Sequence, residues 1–210
     1  MWGGTLIAPH VVLTAAHFVY GGNGTIKAFV NKTSLNEKTG YEYSRTSNFY
    51  LVHPDNDPLS FIDNDIALVY LNNPVTGVPL VKINRKQSIP LGGQSLTAMG
   101  LGFTNTNPIT FAKYLMQASI SVVTFNDCVA KYGNSPPLVN NLTFCAGGQR
   151  KGICIGDSGG PLVRKGASAG QDVQMGIASF GITSDCGLAG WPDGYTSVSF
   201  YSKWIDSNVL

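Results

Sequence analysis

Short apolar runs closed by Gly, Pro or Asn recur along the whole chain, over 4–8, 11–14, 25–30, 48–52, 66–71, 95–100, 115–123, 161–163, 173–180 and 195–198. Runs this short, rich in β-branched residues and bounded by turn formers, read as strands. So many of them, with no internal repeat and no low-complexity tract, predict an all-β sandwich or barrel. A helical period shows only near the end, over 200–208, where Phe200, Trp204 and Ile205 share one face while Lys203 and Asp206 face water. The stretch 72–91, punctuated by Pro74, Pro79 and Pro90, reads as the crossing between a first and a second half.

Composition agrees with this reading. The 210 residues can form one domain or two small ones, and either buries a core. Only 12% of the residues are charged and 25 are glycine, unlike the Lys- and Glu-rich composition of long helices. The formal net charge is +2, and no basic cluster is longer than Arg85-Lys86 or Arg150-Lys151, which argues against a nucleic-acid partner. No run approaches the roughly 18 apolar residues of a membrane span, so no membrane partner is expected. Met1-Trp2-Gly3-Gly4 has no leader pattern, yet Asn23, Asn31 and Asn141 each open a formal N-glycosylation triplet in what reads as a surface loop. With four cysteines beside them, these triplets predict a secreted protein whose leader lies outside this sequence. Cys128, Cys145, Cys154 and Cys186 have neither CxxC spacing nor a neighbouring histidine, so disulfides are expected rather than a metal site. Spacing leaves all three pairings open.

The chemistry concentrates in 152–163, GICIGDSGGPLV, where Ser158 stands among glycines. Glycines free the backbone to aim N–H groups at an anion. A serine hydroxyl needs a base before it attacks. His10 and His53 each adjoin a proline, whereas His17 closes the apolar segment 11–16, where it is either a base or a satisfied core residue. Asp65 stands at the mouth of the apolar run 66–71, either as a partner for that histidine or as a turn or capping residue.

Taken together, Leu13-Thr14-Ala15-Ala16-His17, Asp63-Asn64-Asp65-Ile66-Ala67-Leu68 and Gly156-Asp157-Ser158-Gly159-Gly160-Pro161-Leu162 resemble, in this order, the signature segments of the trypsin/chymotrypsin-like serine proteases. Gly3-Gly4-Thr5-Leu6-Ile7, Phe144-Cys145-Ala146-Gly147, 176–181 and Trp204-Ile205 extend the resemblance across nearly the whole chain. It implies two antiparallel six-stranded β-barrels, about 1–80 and 91–199, with a C-terminal helix over 200–208. It also implies Ser158 as nucleophile, His17 as general base and Asp65 as the group that orients it, with the N–H groups of Gly156 and Ser158 as an oxyanion hole. Ser179 and Gly181 correspond to the strand that pairs with substrate. The implied disulfides are Cys128 with Cys145 and Cys154 with Cys186. A bridge that usually flanks the histidine is lost at both ends, leaving Trp2 and Phe18 to pack on each other, and Leu96 and Arg164 replace the ends of another. Polypeptide substrates and protein protease inhibitors are the implied partners of a monomer that needs no cofactor.

Two features depart from the family pattern. Trypsin-like enzymes hold a basic side chain with an aspartate six residues before the nucleophile, where Gly152 stands here. Asp193 replaces a glycine of the pocket wall instead, a combination similar to crustacean collagenase-like serine proteases. It implies a mixed preference for basic and large apolar residues; the alternative is a solvated Asp193 and a chymotrypsin-like pocket. The family also frees an Ile-Val-Gly-Gly-like N-terminus whose ammonium pairs with the aspartate before the serine, here Asp157. That start is not present, so the sequence reads as truncated, with part of the first barrel's opening strand missing. The remaining alternative is a non-catalytic homologue acting as a binding, inhibitor or adaptor protein.

Overall fold

The computed structural model of the chain describes residues 1–209 apart from 21–23, 61, 88–89, 134–140 and 182–185, so Asn23 lies outside the described residues. In the first half, β1 (Thr5–Ala8), β2 (Val11–Thr14), β5 (Phe49–Val52) and β6 (Ala67–Tyr70) form an antiparallel sheet in the order β1-β2-β6-β5. The continuous apolar run of β6 suits its central place, buried between β2 and β5. A ribbon of β3 (Ile26–Val30) and β4 (Tyr43–Ser47) stands beside this sheet.

The second half is one large sheet. It runs β11 (Met116–Ser121), β8 (Ser95–Gly100), β13 (Pro161–Arg164), β14 (Val173–Phe180), β15 (Asp193–Ser197) and β12 (Thr143–Ala146), all antiparallel. From the crossing, β7 (Lys82–Ile83) adds to β14 in parallel. A separate hairpin, β9 (Phe103–Thr106) with β10 (Ile109–Phe111), projects between β8 and β11.

The protein is all-β, with short helices at α1 (Phe125–Tyr132) and α2 (Ser202–Asn208). In α2, Ile205 is buried and Trp204 packs against the same core, whereas Phe200 lies outside the helix and is exposed. The apolar pattern did not predict α1. It is two turns long, capped by the Thr124 hydroxyl accepting from Asp127 N (3.2 Å) and stopped at Gly133, where φ is +73°. β4, β9 and β10 also escaped the sequence reading: β9 and β10 are largely exposed, and β4 alternates in burial but does so with the polar sequence YSRTS, which carries no apolar alternation. β12 corrects the surface-loop reading around Asn141: Asn141 is exposed, but Thr143 of its triplet is a buried strand residue.

One core joins the halves. Val11, Leu13, Ile66 and Leu68 from the first sheet pack with Ile177, Val198, Tyr201 and Ile205 from the second sheet and the C-terminal segment. Each such fully buried aliphatic side chain contributes roughly 1.5–3 kcal/mol, which fixes the relative placement of the two sheets and of the loops above their junction.

Candidate active site

β2 and β6 are antiparallel neighbours, with Thr14 opposite Ala67, so the loop leaving β2 and the loop entering β6 emerge together. The first carries His17 in a 3-10 turn over Ala16–Phe18, and the second carries Asp65. Asp65 is 0% exposed yet fully engaged. It accepts from His17 N (3.0 Å), faces His17 Nδ1 at 2.8 Å and accepts from the Ser179 hydroxyl at 2.6 Å, while its carbonyl accepts from Thr196 Oγ1 at 2.9 Å. A carboxylate can only accept, so the contact at Nδ1 places the proton there and leaves Nε2 with its lone pair free. Ser179 and Thr196 belong to the second sheet, and their support of Asp65 was not read from the sequence. The separations of 114 and 131 residues left no local signal.

The Ser158 loop is built on positive φ angles at Gly156 (+96°) and Gly159 (+78°). A Cβ on Gly159 would run into Thr14 Oγ1 and the Gly3 carbonyl, and one on Gly156 would stand 3.1 Å from Gly102 Cα. The loop is tied on both sides. Gly3 N donates to Ser158 O (2.8 Å), Gly159 N to Ala178 O (2.7 Å) and Ala178 N to Gly160 O (2.9 Å). Among the described residues no acceptor takes the N–H of Gly156 or of Ser158. Asp157 turns away from the cleft and accepts from Gly102 N (2.8 Å) and Cys154 N (3.0 Å). Burial raises its pKa above the ordinary carboxylate value, the two N–H donors oppose that rise, and no cation of the described residues pairs with it.

A cavity of about 290 Å³ brings together His17, Ser158, Gly156, Ser179, Gly181 and the Cys154–Cys186 disulfide. The second disulfide, Cys128–Cys145, joins α1 to β12 away from the cleft. Asp193 lies beneath the wall. It is 3% exposed and accepts from Ile153 N at 2.9 Å. A side chain on Gly152 would collide with Asp193 Oδ2, and one on Gly181 would come within 2.5 Å of Oδ1. The solvated-loop alternative for Asp193 is therefore set aside. Burial pushes its carboxyl up to about 7, the Ile153 N–H opposes this, and the Asp157 charge adds to it. Trp2 and Phe18 face the same cavity with ring centroids 4.7 Å apart. Asn31, at φ +60°, is exposed and donates to Tyr41 O (3.1 Å).

A buried carboxylate on an imidazole, a serine on a glycine loop and two unclaimed N–H groups together suit acyl transfer. Residues 1–205 match the family model described as Trypsin. The chain belongs to the trypsin family. Its similarity to single members of the trypsin family is spread along its length: 33% identity over 224 residues to the urokinase-type plasminogen activator of Gallus gallus, 32% over 211 to brachyurin of Leptuca pugilator and 30% over 210 to human kallikrein-7. Each alignment covers 99% of this chain, and it spans 50%, 87% and 77% of the respective relatives. By family, this trypsin-like chain is a serine-type endopeptidase.

Proposed function

We propose that the protein is a secreted endopeptidase that cleaves polypeptides through an acyl-enzyme on Ser158. The observation that carries this reading is the convergence of the His17–Asp65 pair and Ser158 on one cavity, beside the unclaimed N–H groups of Gly156 and Ser158. His17 Nε2 takes the hydroxyl proton as Oγ attacks the carbonyl carbon, and the imidazolium then protonates the leaving amine. Asp65 holds the tautomer and stabilises the charged ring. The two N–H groups receive the developing oxyanion. Substrate backbone adds to the edge at Ser179 and Gly181 as an extra strand. The side chain before the scissile bond enters over Gly152, where Asp193 serves basic residues and the surrounding walls serve large apolar ones. Asp157, a half-buried carboxylate without a cationic partner among the described residues, is the acceptor for an N-terminal ammonium formed on activation. Protein protease inhibitors would fill the same cleft, the enzyme acts as a monomer, and Asn31 and Asn141 are candidate glycan sites.

The test is labelling with a fluorophosphonate probe, with Ser158→Ala as control. Labelling that disappears in the control is expected; equal labelling of both, or none in the full-length protein, would overturn the reading in favour of a non-catalytic binding protein. Ser179→Ala is expected to reduce kcat/KM about tenfold, since a hydrogen bond to a charged group contributes roughly 1.5–3 kcal/mol. Steady-state kinetics alongside thermal unfolding check this, and an unchanged kcat/KM would remove Ser179 from the supporting set.

A further inference from the structure

We infer that the cleft continues beyond His17 and Gly156 into an aromatic-walled subsite that selects substrates with an aromatic or large apolar residue immediately after the scissile bond. This rests on the proposed role of Ser158. One side of that serine is taken by Ser179, Gly181 and the Cys154–Cys186 bridge, which frame the pocket for the acyl portion. Two apolar walls also border this cavity. On the first, Trp2 packs on Phe18, whose ring centroid is 3.9 Å from that of His17, and Gly3, next to Trp2, is bonded to the Ser158 carbonyl. The second is Ile155, with Phe111 next to Gly156. Phe111 Cε1 lies 3.8 Å from where a Gly156 Cβ would be, and Phe103 packs edge-on behind Phe111 at 4.4 Å. Phe103 N donates to Ile155 O (2.9 Å), which fastens the hairpin to the oxyanion loop.

Trp2, Phe111 and Ile155 are 60%, 48% and 44% exposed, and these five side chains include no charge. Large apolar groups gathered in water beside a reactive serine gain by being covered. Once the acyl carbon is at Ser158, with its oxygen on the two N–H groups, the next residue passes over His17 and between these walls. An aromatic ring there meets Trp2 and Phe111 in the tilted or edge-on contacts that aromatic pairs prefer.

Partitioning of the acyl-enzyme reads this subsite directly. An incoming amine attacks the acyl carbon and gives its proton to His17; the carbon–Oγ bond breaks, and Oγ recovers a proton from the imidazolium. Water in the same place gives the acid. The full-length protein is acylated with a p-nitrophenyl ester, and amide and acid products are separated after addition of phenylalaninamide or glycinamide. Phenylalaninamide is expected to be captured about tenfold more efficiently than glycinamide, with the preference falling to about twofold or less in Trp2→Ala and, on the opposite wall, in Phe111→Ala. Equal capture of the two amines by the unaltered protein would overturn the subsite, as would full retention of the preference in both variants. Failure to release a stoichiometric burst of nitrophenol would instead bring down the Ser158 reading, and the subsite with it.

Discussion

Asp65→Asn is expected to lower kcat about 10⁴-fold while the protein remains folded, as measured by burst and steady-state kinetics beside a thermal melt. Asp65 receives His17 N, His17 Nδ1 and the Ser179 hydroxyl, all of them donors. An amide offers one acceptor oxygen and turns an NH₂ toward a neighbour that must then accept. His17 can meet that demand only by moving its proton from Nδ1 to Nε2, which removes the lone pair that would deprotonate Ser158. The shape of the side chain barely changes, so a loss of kcat without a comparable loss of Tm isolates the tautomer effect. A loss under tenfold would mean that His17 is oriented by other contacts.

Asp193→Gly is expected to depress cleavage after Arg and Lys about a hundredfold relative to cleavage after Phe or Leu, as truncation of one partner of a buried charge pair costs roughly 2–5 kcal/mol. The unaltered enzyme should show a related dependence on pH. Asp193 is pushed up to about 7 by burial and by the Asp157 charge, against the Ile153 N–H. Tyr132 and Tyr195, which feel the Asp193 charge, are both shifted upward and stay neutral through this range. Below pH 7 the pocket therefore holds a neutral carboxyl and favours apolar residues; above it, the carboxylate favours basic ones. His17 serves both substrate classes alike, so its contribution cancels in their ratio. A basic-to-apolar ratio that is flat from pH 5.5 to 8.5, or unchanged in Asp193→Gly, would show that Asp193 does not face the bound side chain.

The residues proposed for the site were legible because they sit in contiguous segments with their own chemistry, the glycine loop around Ser158 and the apolar runs ending at His17 and starting after Asp65. The supports were not. Ser179 reaches Asp65 from 114 residues away, and the bond from Gly3 N to Ser158 O joins opposite ends of the chain, so neither has a local pattern. The strand reading succeeded where apolar residues are buried, as in β2, β6 and β14, and failed for β9 and β10, which are largely exposed, and for β4, whose burial alternates beneath polar residues. Asp193 shows a third kind of gap. Its position in the sequence suggested a pocket wall or a solvated loop, and its burial beside Gly152 and Gly181 rests on backbone approaches that no local pattern shows.

The division of labour across the shared core also bears on what happens when the enzyme is itself degraded. His17 and Asp65 come from the first sheet's loops and Ser158 from the second's, and Gly3 and Ser179 reach across in opposite directions to hold them. With the roles proposed above, a cut in the crossing followed by separation of the halves would leave one fragment with a base but no nucleophile and another with a nucleophile but no base. On those roles neither fragment could hydrolyse a peptide bond alone, so hydrolytic power would end when the halves part.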